Sequence, residues 1–232
     1  MRQAGVEVTF LTNNAAAAPA QVAEKLSALG VSARPESVVT SGTITASHLA
    51  ATRPEATLFV VGEDPFRRVL DTAGLTVTDE PTDADTVVVS LDRAFDYDTL
   101  AATLRVFETG DPRYVATNPD RTRPGERYPQ PSTGAIIGAI EGATGRRPDR
   151  VLGKPAVVAA DVLERERDVD PDRAVVVGDR VETDVRFGNR LGARTALVLT
   201  GATDDEGAVS AAEGPDDVVD SLAALPPALP GV

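Results

Sequence analysis

The stretch Ala174–Gly192, AVVVGDRVETDVRFGNRLG, decides the fold. Ala174–Val177 is short, apolar and β-branched, which predicts a strand buried on both faces. Gly178-Asp179 ends it, and Thr183–Leu191 then takes helical spacing and closes on Gly192, a residue suited to the left-handed turn past a helix. Strand, turn and helix in this order form one unit of a parallel sheet covered by helices. Outward from it the pattern repeats. Strands are predicted at Val6–Leu11, Thr57–Val61, Thr86–Ser90, Arg113–Ala116 and Thr195–Leu199. Helices are predicted at Pro19–Leu29 (with Val22, Leu26 and Leu29 on one face), Phe66–Ala73, Tyr97–Thr109, Ser132–Thr144 and Pro155–Arg167. The whole reads as α/β, and the Pro-rich run Pro226–Val232 is expected to fray.

Length and charge narrow the function. At 232 residues the chain is about one and a half ordinary domains, which suits a core with an insertion. Polar, proline-punctuated stretches at Thr117–Pro131 and Arg146–Arg150 set off a middle unit, residues 43–149, from a core made of 1–42 and 150–232. With 23 basic against 36 acidic residues and a net charge of −13, the chain is no nucleic-acid binder, because phosphate backbones require clustered Lys and Arg. No run approaches the length of a membrane span and Glu7 interrupts any apolar leader, so a cytoplasmic location without membrane partners is expected. The absence of cysteine excludes disulfides, thiolate metal sites and a Cys nucleophile. Only two lysines occur, Lys25 and Lys154. Arg-for-Lys usage with an acid excess fits adaptation to high salt or a GC-biased genome equally well.

Three element ends carry polar groups suited to phosphate. Thr12-Asn13-Asn14 follows the first strand, where open α/β sheets bind ligands, although the same residues make an ordinary helix cap. Gly153-Lys154-Pro155 precedes a helix expected to start with Pro155, which would set the ammonium near the positive helix end. Asp179 and Asp184 flank the turn after Ala174–Val177. They suit Mg²⁺, which takes carboxylates together with phosphate oxygens, or serve as acidic residues in a first helical turn.

This order resembles the haloacid dehalogenase-like phosphatases of the NagD or 4-nitrophenylphosphatase type. LTNN (Leu11–Asn14), VVGED (Val60–Asp64), SLDRAFDYDTL (Ser90–Leu100), ATNPDRTRP (Ala116–Pro124), LGKP (Leu152–Pro155) and VVVGDRVETDVRFGNRLG (Val175–Gly192) carry the resemblance. It implies a Rossmann-like parallel-sheet core with an inserted α/β cap, and a Mg²⁺-dependent phosphatase of small phosphorylated metabolites. By resemblance Thr12, with Asn13 and Asn14 beside it, binds the phosphoryl group, and Lys154 neutralises it. Asp179 ligates Mg²⁺, and Asp184 supports Lys154 or a metal-bound water. The cap loop with Asn118 and Asp120 helps select the substrate, and the resemblance allows a homodimer through the cap.

One family element is missing. An Asp-x-Asp pair at the end of the first core strand supplies the nucleophile, which forms an aspartyl-phosphate, and the acid/base. Only Met1–Val8 precedes Thr9-Phe10-Leu11-Thr12, and no aspartate lies ahead of Thr12. The expectation is a truncated gene or misplaced start, an inactive chain, and two sheet edges left open beside the lost strand. A catalytically dead remnant that binds phosphate or a partner is the alternative.

Overall fold

Continuous apolar runs on short strands build the largest of the parallel sheets among the described residues. The computed structural model describes residues 6–201, 203 and 214–225. The Pro-rich run Pro226–Val232 lies outside the described residues. The chain forms two compact units, Thr9–Gly153 and Met1–Val8 with Lys154–Val232.

In the first unit, β1 (Phe10–Thr12) leads through α1 (Pro19–Ala28) to β2 (Val38–Thr40) and α2 (Ser41–Thr52). Next come β3 (Thr57–Val61), α3 (Asp64–Thr72), β4 (Thr76–Thr78), β5 (Thr86–Val89), α4 (Tyr97–Thr109) and β6 (Arg113–Ala116). The short hairpin β7 (Thr122–Arg123) and β8 (Gln130–Pro131) precedes α5 (Thr133–Thr144) and β9 (Arg150–Val151). Five of these strands form one parallel sheet in the order β4-β3-β5-β6-β9. Phe59 and Val61 on β3 and Val87 and Val89 on β5 share one face through the two-residue period of a strand. They form one core cluster with Val106 of α4 and Ile136 and Ile140 of α5. The other parity, Leu58, Val60 and Val88, is buried as well, as expected of a parallel sheet covered on both faces.

Tyr114 belongs to that cluster and is 0 % exposed, yet among the described residues its hydroxyl has no hydrogen-bond partner. Burial, aided by the charge of Glu141, pushes its phenol pKa up. An unpaired buried hydroxyl costs roughly 1–3 kcal/mol. Tyr114→Phe is therefore expected to raise stability by about 1 kcal/mol in urea denaturation, and a loss of that size would show that the hydroxyl is satisfied after all.

The second unit holds a parallel sheet in the order β10 (Val175–Gly178), β11 (Arg194–Val198), β12 (Asp217–Val219). It carries α6 (Val157–Arg167) and α7 (Arg186–Leu191). Asp216 fastens β12, accepting hydrogen bonds from the Thr195 amide at 2.8 Å and hydroxyl at 2.9 Å. These bonds, the backbone one foremost, hold its carboxyl below the usual range. A carboxyl with a depressed folded pKa contributes stability above its unfolded pKa, and that contribution is lost as pH falls through the folded value. Asp216→Asn is accordingly expected to flatten the acid limb of a Tm-against-pH curve, and an unchanged limb would count against this role.

Several expectations shift. The first strand is Phe10–Thr12 rather than Val6–Leu11, because its ladder partner β2 offers only three residues. Leu29, expected on the buried face of α1, is 71 % exposed at the C-cap, and Ala23 is the buried residue. Helix α2, whose first turn includes residues 42 and 43, was not among the predicted elements. Among the described residues β1 pairs only with β2 and β10 only with β11. The apolar residues of both are half-buried.

Candidate active site

The Gly178-Asp179 turn is built for one side chain, that of Asp184. After β10 the chain makes a single π-helical turn, Val181–Val185, before α7, a distortion found often at functional sites. The wider turn lets Asp184 fold back, so that its Oδ2 accepts from the amides of Asp179 at 3.2 Å and Arg180 at 3.1 Å. Its Oδ1 accepts from Lys154 Nζ at 2.5 Å. A Cβ on Gly178 would overlap the Asp184 side chain, so glycine is required there. A Cβ on Gly201 would likewise overlap the Asp179 side chain.

Lys154 reaches this carboxylate from the turn before α6, and the two side chains are 13 % and 9 % exposed. The helix expected to begin at Pro155 starts at Val157, because Ala156 is extended (φ −67°, ψ 144°). Lys154 is thus positioned by Asp184, not by a helix N-terminus. Arg190 of α7 steadies the same turn, donating from Nη1 to the Pro155 carbonyl at 2.5 Å.

Mg²⁺ takes one or two carboxylates plus phosphate oxygens and water. Asp179 fits as one such carboxylate, directly after the strand end. Asp184 accepts three hydrogen bonds, from Lys154 on Oδ1 and from two amides on Oδ2, which leaves an acceptor site on Oδ1 for a cation or a metal-bound water. Of the two roles implied for it, support of Lys154 is the one seen in the geometry. Among the described residues no group of three or more His, Cys, Asp or Glu side chains that could hold a metal comes together.

The other candidate residues meet in the unit Thr9–Gly153. Thr12 Oγ1 accepts from the Asn14 amide at 3.1 Å, and Asn14 Oδ1 from the Ala16 amide at 3.0 Å, which curls the loop after β1. The Asn13 carbonyl accepts from Ser41 Oγ at 2.7 Å and Asn118 Nδ2 at 2.9 Å. Asn118, 2 % exposed, also donates to the hydroxyls of Thr117 at 3.1 Å and Thr133 at 3.0 Å, and accepts from the Asp120 amide at 3.1 Å. Its amide thereby ties the loop together. Asp120 Oδ1 accepts from Asn13 Nδ2 at 3.5 Å. Sequence reasoning missed Ser41, Thr133, Gly201 and Arg190. For Ser41 there was a signal: Thr40-Ser41-Gly42-Thr43 opens α2 with a side-chain capping pattern.

Two family models match, a haloacid dehalogenase-like hydrolase over residues 1–76 and a HAD-hydrolase-like model over residues 151–225. The chain is 34 % identical over 222 residues to the 5'-nucleotidase YutF of Bacillus subtilis, covering 96 % of this chain and 85 % of that protein. It is 35 % identical over 194 residues to an acid sugar phosphatase of Staphylococcus haemolyticus, covering 84 % and 73 %. The crystal structure of 4-nitrophenylphosphatase from Thermotoga maritima superposes with a TM-score of 0.86 at 34 % identity, covering 92 % of this chain and 80 % of that one.

Proposed function

The chain belongs to the haloacid dehalogenase-like hydrolases of the NagD type, and from that membership we propose that it carries the phosphate-handling half of a phosphatase for small phosphorylated metabolites. The observation that carries this is the Lys154–Asp184 pair, tied to the Gly178-Asp179 turn. The relatives named for a nucleotide and for acid sugars support the substrate class. Residues 1–42 and 150–232 are the core in this reading, 43–149 the cap, and the cytoplasm its location.

Each residue then has a task. Lys154, fixed by a carboxylate, presents its ammonium to a phosphate dianion as a point charge. Thr12, whose Oγ1 already accepts from the Asn14 amide, keeps its O–H to donate to a phosphoryl oxygen. Asp179 would hold Mg²⁺, which supplies charge neutralisation on the phosphoryl group when bound. The aspartyl-phosphate route that the family resemblance implies needs a carboxylate nucleophile, and no aspartate precedes Thr12 in these 232 residues. In this reading the 232-residue chain binds phosphate without turning esters over.

Two measurements test this. Inorganic phosphate is expected to bind, with affinity falling at least about tenfold in Lys154→Ala, since a charge-assisted contact is worth roughly 1.5–3 kcal/mol. Hydrolysis of 4-nitrophenyl phosphate with Mg²⁺ is expected to be absent, and to emerge when a βα segment bearing Asp-x-Asp is added upstream. Turnover by the unextended chain, abolished in Asp179→Asn, overturns the inactivity. No phosphate binding, and no turnover even in the extended chain, overturns the phosphatase reading.

A further inference from the structure

The five-stranded sheet has a point where its strand order reverses: from β3 the chain steps to β4 on one side, then returns to β5 on the other. Open α/β sheets bind ligands outside the carboxyl ends of the strands at such a point. Here Gly62-Glu63 follows β3 and Ser90–Arg93 follows β5. Arg93 forks onto Glu63, donating from Nε to Oε1 at 2.6 Å and from Nη2 to Oε2 at 2.7 Å. Beside this pair lies a cleft of about 430 Å³, lined by Leu91, Phe95, Arg123, Ser132 and Ile136 among others, within the size range of small-molecule sites.

Among the described residues, one cation of this cleft is left without an ion pair. The guanidinium of Arg93 is already matched by Glu63, and Asp92 Oδ1 accepts from the Ala94 amide at 2.9 Å. Glu63 is held below the usual carboxylate range by Arg93 foremost, with the charge of Arg123 the smallest contributor. Arg123, on the hairpin strand β7, forms no salt bridge among the described residues, and its buried Nε has no hydrogen-bond partner. A buried donor left unpaired is costly, more so on a charged group, and Arg123 is one of the residues lining the cleft. At the same cleft Ser132 is the N-cap of α5; its side chain makes no capping bond and no acidic residue stands in the first turn, while the Gly134 amide donates to the Asp120 carbonyl at 2.8 Å. The positive helix end is left without a compensating charge. The remaining wall combines apolar residues, Phe95 and Ile136 among them, with Asp92 and Gln130.

We propose that this cleft binds a small organic carboxylate, its oxygens on the Arg123 guanidinium and the start of α5, and its apolar body against Phe95 and Ile136. The carboxylate belongs either to a free acid or to the far end of a phosphorylated substrate. Because binding alone is measured, the proposal stands apart from the phosphatase reading.

Benzoate and its neutral analogue benzamide are the probes, titrated against the intact chain with ligand-observed NMR. Benzoate is expected to bind, benzamide to bind at least tenfold more weakly, and Arg123→Gln to lose at least tenfold in benzoate affinity. Ala135→Glu, which sets a competing carboxylate in the cleft, is expected to weaken benzoate to a similar extent without touching Arg123. Phosphoglycolate separates the two sources. If Arg123→Gln and Thr12→Ala both weaken it, the carboxylate is part of the substrate; if only Arg123→Gln does, the cleft takes a separate acid. Benzoate bound within twofold by wild type, Arg123→Gln and Ala135→Glu, or benzamide bound as tightly as benzoate, overturns the proposal.

Discussion

Asp184→Ala is expected to destabilise the chain by about 3–5 kcal/mol, the range for removing one partner of a buried ion pair. For a protein of this length that is on the order of 10 °C in Tm. Lys154, 13 % exposed, would lose its ion-pair partner, and the amides of Asp179 and Arg180 would lose their acceptor. Asp184→Asn should fall in between, since it keeps an oxygen for the amides but not the charge. A cycle with Lys154→Met separates the two contributions. The double variant Lys154→Met/Asp184→Ala is expected to recover most of the loss while retaining about 1–3 kcal/mol for the unpaired amides. Urea denaturation reads all four proteins. A loss below about 1 kcal/mol in Asp184→Ala would mean the pair is solvated like an ordinary surface bridge.

Asn118→Ala is expected to cost about 2–4 kcal/mol, from several buried partners left unpaired at once. One side-chain amide group serves three oxygens, on Asn13, Thr117 and Thr133, while its carbonyl orders the Asp120 amide. Its loss frees the carbonyl of Asn13 and, through it, the curl that sets Thr12. Faster hydrogen exchange at the Asn14 amide, which bonds Thr12 Oγ1, should accompany the drop in stability. A stability change within about 0.5 kcal/mol would reduce Asn118 to an ordinary surface residue.

Strand and helix periods revealed the elements that bury both faces. Thr57–Val61, Arg113–Ala116 and Tyr97–Thr109 lie where their apolar spacing puts them. Short edge strands such as Thr76–Thr78 escaped, because three residues carry no period and their pairing comes from a neighbour far along the chain. The helix Ser41–Thr52 escaped because its residues are small and buried nearly all round, leaving no polar face to alternate with. Thr12, Lys154, Asp179 and Asp184 stood out in the sequence as polar groups at element ends. What each one holds did not. That Asp184 would turn its oxygens to Lys154 and two amides depends on a π-helical turn, and the spacing of GDRVETD gives no hint of it.

The depth at which Lys154 meets Asp184 also fixes how the molecule answers to salt. The outer pairs, Arg67 with Asp79 and Arg146 with Asp111, have carboxylates that are 89 % and 90 % exposed. At molar ionic strength, where charges are screened within about 3 Å, such pairs weaken, and so does the mutual repulsion of a chain with net charge −13. Counter-ions cannot reach between Lys154 and Asp184 in the same way. Brine therefore resets the cohesion of the surface while the aim of this buried ammonium stays as it was in dilute buffer.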